Sequence, residues 1–355
     1  MPRPIKAAIS MVALQHNLTV VRRHAQRSSV FAVLKANAYG HGVTRVARGL
    51  GSADGIALLE IDDAVRLRAA GYAKRLALLE GVFDVAELGV AAKCNLTIVI
   101  HDREQLRMLD AAPLDARLDV LLKINTGMNR LGYTPDAAGD AIAQLAGHRA
   151  VGQVTLMTHF ATADDPHGVA WQLQRFDAIA AGCNLPHCVA NSAALVRYPQ
   201  THRDWVRPGI MLYGCSPFPD VSAVELGLQP VMTLTSEIIA VQALQPGDRV
   251  GYGGIFEATQ SMRVGIVACG YADGYPRHAP GGTPVLVGGY RARTVGRVAM
   301  DMLCVDLTGI EAARIGAPVT LWGKGLPADE VAHCAGTVSY ELLCALAPRV
   351  PIIEV

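Results

Sequence analysis

Phe31-Ala-Val-Leu-Lys35-Ala-Asn-Ala-Tyr39-Gly40-His41-Gly42 runs an apolar segment into a lysine and then into a glycine-punctuated turn. Beyond the turn, Val43, Val46, Ala47 and Leu50 repeat at helical spacing. Together they make one strand-turn-helix unit, and the unit recurs. Apolar runs at Val30–Leu34, Ile56–Leu59, Leu76–Leu79, Leu96–Ile100, Leu118–Ile124, Val154–Thr158, His187–Ala190 and Val206–Leu212 alternate with amphipathic stretches such as Leu173, Phe176, Ile179 and Ala180. Eight such units predict a (β/α)8 TIM-type barrel, in which functional side chains gather at the strand C-terminal ends. A doubly wound sheet is the competing arrangement, because it uses the same unit and differs only in whether the sheet closes.

From about Leu226 the texture changes. Val231–Ala243, Met262–Ala268, Thr283–Val287, Arg293–Val295, Leu303–Leu307 and Pro318–Trp322 read as strands separated by turns such as Gln245-Pro-Gly-Asp and Gly288-Gly. The chain therefore divides into a barrel over residues 1–225 and a mostly-β C-terminal domain over 226–355, an α/β protein followed by an all-β one.

Hydrophobic residues make up 51% of the chain and charged residues 18%, so the chain is one that buries a large core. Lys plus Arg number 32 against 31 Asp plus Glu, without a basic block, and this argues for a small-molecule substrate and against nucleic acid or a membrane surface as partner. Eight scattered cysteines show no CxxC pair, which suggests neither a zinc knuckle nor a disulfide framework and reads as buried free thiols. The stretch MPRPIKAAISMVALQHNL lacks the apolar core of a signal peptide, and no run reaches the ~20 residues of a membrane helix, so a cytoplasmic location is expected.

Lys35 closes a buried strand, where desolvation favours the neutral amine that Schiff-base chemistry needs. The alternative is a lysine that snorkels to solvent from the barrel mouth. Lys123 also sits within an apolar run, where an ordinary ammonium would be costly to bury.

The segment VLKANAYGHG resembles the cofactor-lysine motif of alanine racemases, a family of two-domain pyridoxal-phosphate enzymes. Further blocks similar to the family follow in order: Leu122–Gly132, Met157–Phe160, Ala190-Asn-Ser192, Trp205–Gly214, Val250–Gly253, Gly270–Pro276 and Gly296–Asp301. Asn37 and Asn125 stand where the family motif often has Asp. The resemblance implies an isomerase that interconverts L-alanine and D-alanine, with pyridoxal 5′-phosphate carried as a Schiff base on Lys35. It also implies a barrel followed by a β-domain.

The resemblance implies residue roles as well. Tyr39, Ser192, Tyr340 and the backbone of Gly209 and Ile210 hold the phosphate. For Ser192 a plain helix N-cap is the competing role, since Asn191-Ser192 opens an amphipathic stretch. Arg207 points at the pyridine nitrogen, where a donor that keeps its proton leaves the ring a weaker electron sink and favours return of the proton to Cα. An ion pair with Asp204 is its alternative. His159 belongs to the supporting shell beside Arg207, and Arg130 clamps the substrate carboxylate, unless it only caps a helix. The resemblance makes Lys123 a carbamylated lysine that holds Arg130.

Racemisation needs a proton-transfer group on each face of Cα. Lys35 and Tyr252 are implied, although a tyrosine between glycines otherwise reads as a turn residue. Tyr271 and Met300 join Tyr252 in meeting the substrate, and in the family all three reach the partner subunit's site, so a homodimer with shared active sites is expected. A decarboxylase of similar design would supply a carboxylate to the ring nitrogen in place of Arg207, and a barrel-only cofactor carrier would leave the β-domain without a task.

Overall fold

The computed structural model describes residues 3–355. Strand β1 (Lys6–Ile9) precedes eight parallel strands that close on themselves in sequence order: β2 (Ser29–Val33), β3 (Gly55–Leu58), β4 (Arg75–Leu78), β5 (Leu96–Ile100), β6 (Leu118–Lys123), β7 (Val151–Met157), β8 (His187–Asn191) and β9 (Trp205–Arg207). The closing pair is β2 with β9, Val30 opposite Val206. All eight expected barrel runs form strands. β5 is buried at every position, as a strand between a helical layer and a barrel interior must be. The eighth is shorter than expected: Val206–Leu212 stays extended only to Arg207, because Pro208 has no N–H for the ladder, and Ile210–Tyr213 forms a 3-10 turn.

Three helices begin at side-chain caps that the sequence offers. Ser10, Asp84 and Asp102 each accept a backbone N–H from the first turn of their helix. The helix Val43–Gly49 buries Val43, Val46 and Ala47, and Ala170–Ala180 buries Leu173, Phe176 and Ala180, the periodic faces read above. No helix of the described residues is long and apolar enough to cross a membrane.

The second unit contains β10 (Met232–Leu244), the hairpin β11 (Arg249–Val250) and β12 (Phe256–Glu257), then β13 (Met262–Val267), β14 (Pro284–Val287), β15 (Tyr290–Val295), β16 (Leu303–Asp306), β17 (Pro318–Trp322) and β18 (Ile352–Glu354). Its large sheet runs β13-β16-β15-β14-β17-β10-β1-β18, and β10 also pairs with β13. The position of β1 departs from the 1–225 and 226–355 division: Lys6–Ile9 pairs antiparallel with β10 and parallel with β18. Its partners are too far along the chain for a local pattern to reveal them.

The eight cysteines are all unpaired. Cys188, Cys215 and Cys269 are buried, but the expectation of buried thiols fails at Cys334 and Cys344, which close two short helices at the surface.

Candidate active site

The path of the chain after β2 decides where Lys35 and Tyr39 lie. Ala36, Asn37, Ala38 and Tyr39 take φ of 53°, 53°, 53° and 51°, a turn of left-handed helix. For residues with a Cβ this conformation costs about 1–2 kcal/mol each, so the surroundings must hold it. They do so with hydrogen bonds. Asn37 Oδ1 accepts the Val43 N–H at 3.3 Å, and His41 Nδ1 donates to the carbonyls of Tyr39 at 2.8 Å and Ala38 at 3.1 Å. Two carbonyl acceptors require the proton on Nδ1. Complete burial pulls the His41 pKa down to about 4 against these bonds, so the ring is neutral.

Tyr39 leaves this turn to stack on Tyr213, with ring centroids 4.5 Å apart, and the Tyr213 hydroxyl donates to the Val33 carbonyl at 2.9 Å. Gly40 at φ +79° abuts the helix Ser339–Cys344 so closely that a Cβ would stand 2.3 Å from the Leu343 oxygen. That contact brings Tyr340 of the second unit to 6.0 Å from the Tyr39 ring. Burial pushes both phenols well above their ordinary range, so each stays protonated and can donate.

The two roles weighed for Ser192 separate cleanly. Asn191 is the cap of the helix Ser192–Arg197, its Oδ1 accepting the Ala194 N–H at 2.9 Å, while the Ser192 hydroxyl accepts the Gly209 N–H at 2.9 Å. Room beside it is kept by Gly209, where a Cβ would lie 2.4 Å from the Tyr39 hydroxyl. Three hydroxyls and the backbone at Ile210 thus adjoin a space that a side chain at 209 would fill, while the Gly209 N–H is given to Ser192 in this structure. Such a donor set suits a phosphate.

Arg207 is buried, and its guanidinium donates to the carbonyls of Cys188 at 2.5 Å and Thr158 at 2.6 Å. The Asp204 carboxylate accepts the His187 N–H instead, and among the described residues no carboxylate forms an ion pair with Arg207. A fixed cation therefore stands at the end of β9. Burial, followed by the charges of Arg207 and Lys123, holds His159 well below the ordinary histidine range and keeps it neutral. The His159 carbonyl accepts from Gln172 at 3.1 Å.

Lys123 ends β6 with 6% of its surface exposed. Burial first, then Arg207 and Arg130, draws its amine down to about 8, with Glu80 opposing. Arg130 follows in a loop shaped by Asn125, whose Oδ1 accepts the N–H groups of Gly127 and Asn129 and whose Nδ2 donates to Asn129 Oδ1 at 3.1 Å. An aspartate at 125 could not make the last bond. The Arg130 side chain makes no hydrogen bond or ion pair among the described residues, so the helix-cap contact weighed for it does not form.

Lys35, Tyr39, Lys123, Arg130, His159, Ser192, Arg207, Gly209, Ile210 and Tyr340 all line one cavity of about 1000 Å³ at the C-terminal face of the barrel. Tyr252, Tyr271 and Met300 do not. They lie on turns of the second unit, 70%, 37% and 53% exposed. Sequence reasoning gave no role to Asn191, Tyr213 or His41, which shape the cavity, and missed the lining stretch Ser216–Ala223. The Asn191 cap was legible from the serine and apolar residues after it; the Tyr213 stacking contact was not.

The family description "Alanine racemase, N-terminal domain" matches residues 9–217, and "Alanine racemase, C-terminal domain" matches 231–354. The chain is 59% identical to the alanine racemase of Nitrosospira multiformis over 98% of this chain and 99% of that one. Among solved structures it is similar to the biosynthetic alanine racemase of Pseudomonas aeruginosa, with a TM-score of 0.97 at 45% identity over 99% of both chains. The alanine racemase of Acinetobacter baumannii gives a TM-score of 0.94 at 38% identity, over 99% of this chain and 100% of that one.

Proposed function

This chain belongs to the alanine racemase family, whose members depend on pyridoxal 5′-phosphate, and it interconverts L- and D-alanine. We propose that Lys35 and Tyr252 move the proton at Cα and that each active site takes one of them from each of two subunits. The observation that supports this is the division of the expected site: ten residues line one cavity, while Tyr252, Tyr271 and Met300 stand exposed outside it.

The cavity residues fit the cofactor. Lys35 Nζ would bind its aldehyde carbon, Tyr39, Ser192, Tyr340 and the backbone of Gly209 and Ile210 its phosphate, and Arg207 its ring nitrogen, with His159 alongside. When bound, the cofactor withdraws electrons from Cα of the attached amino acid and acidifies its proton. Lys35 Nζ would remove or return the proton on the D-isomer face. Tyr252 of the partner subunit serves the other face. A phenol needs neighbouring positive charge to act as a base near neutral pH, and Arg207 supplies it, because His159 is neutral here. Arg130 binds the substrate carboxylate, aided by the backbone of the partner subunit's Met300 and by the partner subunit's Tyr271. Lys123, as a carbamate, holds Arg130.

On this reading the working unit is a homodimer with two equivalent sites, placed in the cytoplasm, where eight unpaired cysteines remain reduced. Its partners are alanine and a second copy, without nucleic acid or membrane. The test is to co-purify Lys35→Ala and Tyr252→Phe chains as mixed dimers and to follow D-alanine formed from L-alanine. Each variant alone is expected to be inactive and the mixed dimer to regain up to half the wild-type rate. A mixed dimer as inactive as its parents overturns the shared site.

A further inference from the structure

Away from the cavity, one carboxylate and the two arginines that it holds tie four distant parts of the chain together. Asp273 has no exposed side-chain surface and receives Arg3 Nη1 at 2.8 Å, Arg3 Nη2 at 3.1 Å, Arg349 Nε at 2.7 Å and the Gly270 N–H at 2.9 Å. The same two arginines continue to a second turn: Arg349 Nη2 donates to Asp301 Oδ1 at 2.7 Å and Arg3 Nη2 to the Asp301 carbonyl at 2.8 Å. Two aspartates and two arginines thus form an electrically balanced cluster.

The two turns joined in this way carry Tyr271 and Met300. They are also clipped by backbone bonds, Tyr271 N–H to Ala299 O at 3.0 Å and Ala272 N–H to Met300 O at 2.9 Å. Gly270 is squeezed between them, since a Cβ there would lie 2.3 Å from the Met300 oxygen. Burying a carboxylate costs several kcal/mol unless its lone pairs are matched, and here both oxygens are. Burial alone would raise the Asp273 pKa, but the hydrogen bonds from Arg3 and Arg349 outweigh it and hold the group ionised. The arginines keep about two fifths of their side-chain surface in water, which lowers the cost of the cluster.

We propose that Asp273, held by Arg3 and Arg349, is a positioning residue that sets the Tyr271 and Met300 turns for the partner subunit's active site, not for the cavity of its own chain. The inference rests on the shared-site reading above. It predicts a directional effect. In the mixed dimer of Lys35→Ala and Tyr252→Phe chains, the one complete site joins the barrel of the Tyr252→Phe chain to the turns of the Lys35→Ala chain. Asp273→Asn on the Lys35→Ala chain therefore disturbs that site, while on the Tyr252→Phe chain it touches only the dead one.

The experiment places Asp273→Asn on each chain in turn and measures kcat and KM for alanine and the cofactor absorbance of the mixed dimers. The expected result is a fall in kcat/KM of at least about tenfold when the substitution is on the Lys35→Ala chain, none when it is on the other, and unchanged cofactor absorbance in both. Equal losses from either chain, as general destabilisation would give, or no loss from either, overturn the proposal. If the parent mixed dimer shows no activity before position 273 is altered, the shared-site reading itself fails. Should Asp273→Asn not fold, Arg349→Met is read in the same way, and Arg349→Lys is expected to restore part of the rate.

Discussion

The hydroxyl of Tyr39 lies 2.4 Å from the point where a side chain at Gly209 would begin. Tyr39 comes from the loop after the first barrel strand and Gly209 from the loop after the last, so the closure of β2 on β9 brings them face to face. Gly209→Ala must push the phenol aside. Overpacking of this kind costs about 1–3 kcal/mol, and the expected outcome is a rise of roughly ten- to a hundredfold in the Kd for pyridoxal 5′-phosphate. Titration of apoprotein by absorbance measures it, and an unchanged Kd would remove Tyr39 from phosphate binding.

Lys123 is poised to take up carbon dioxide, because only the neutral amine adds to it and an amine with a pKa near 8 is partly neutral at physiological pH. Protein equilibrated with ¹³C-labelled bicarbonate is expected to show a carbamate carbon resonance that fades as pH falls below 8 and is absent from Lys123→Gln. The variant should also bind alanine more weakly, because on the proposed assignment the carbamate is what holds Arg130. An unmodified amine in electron density at neutral pH would count against the carbamate.

His41 gives the protein an acid limit. Its folded pKa of about 4 lies below the ordinary value of 6.5, so unfolding takes up a proton between these values. The stability tied to its neutral form is fully present above pH 6.5 and is lost as pH falls toward 4, a change of about 3 kcal/mol from this group. His41→Asn is expected to narrow the difference in urea midpoint between pH 7.5 and pH 4.5. It should also loosen the left-handed turn and weaken cofactor binding at both.

Arg207→Glu tests why an arginine stands at the end of β9. On the proposed assignment, a carboxylic group there would keep the ring nitrogen protonated and deepen the electron sink, so more pyruvate should form per racemisation turnover. The carbonyls of Cys188 and Thr158 also lose their donor, so a lower thermal midpoint is expected. Pyruvate release no greater than in the wild type would show that the ring is governed from elsewhere.

The barrel was legible because its strands are buried along most of their length and leave short, largely apolar runs, as at Leu96–Ile100, where only Thr97 is polar. The cavity residues were legible through blocks similar to a known family, and their gathering in one space follows from the barrel, which collects strand ends. The left-handed turn at Ala36–Tyr39 was not. Of its residues only Asn37 tolerates that conformation readily, and the forces that impose it come from His41 and the helix that follows. Nor was the Asp273 cluster, because Arg3 and Asp273 are 270 positions apart.

Strand β1 has a consequence for how the molecule is made. Lys6 lies 229 residues before its sheet neighbour Thr235, and among the described residues the other edge of the strand is covered by the segment 351–355. The barrel can close while both edges of this first strand are still bare, an exposed template for pairing with other chains. Assembly of this sheet therefore waits for its most distant partners, and β1 is locked in only when β10 and β18 are both in place.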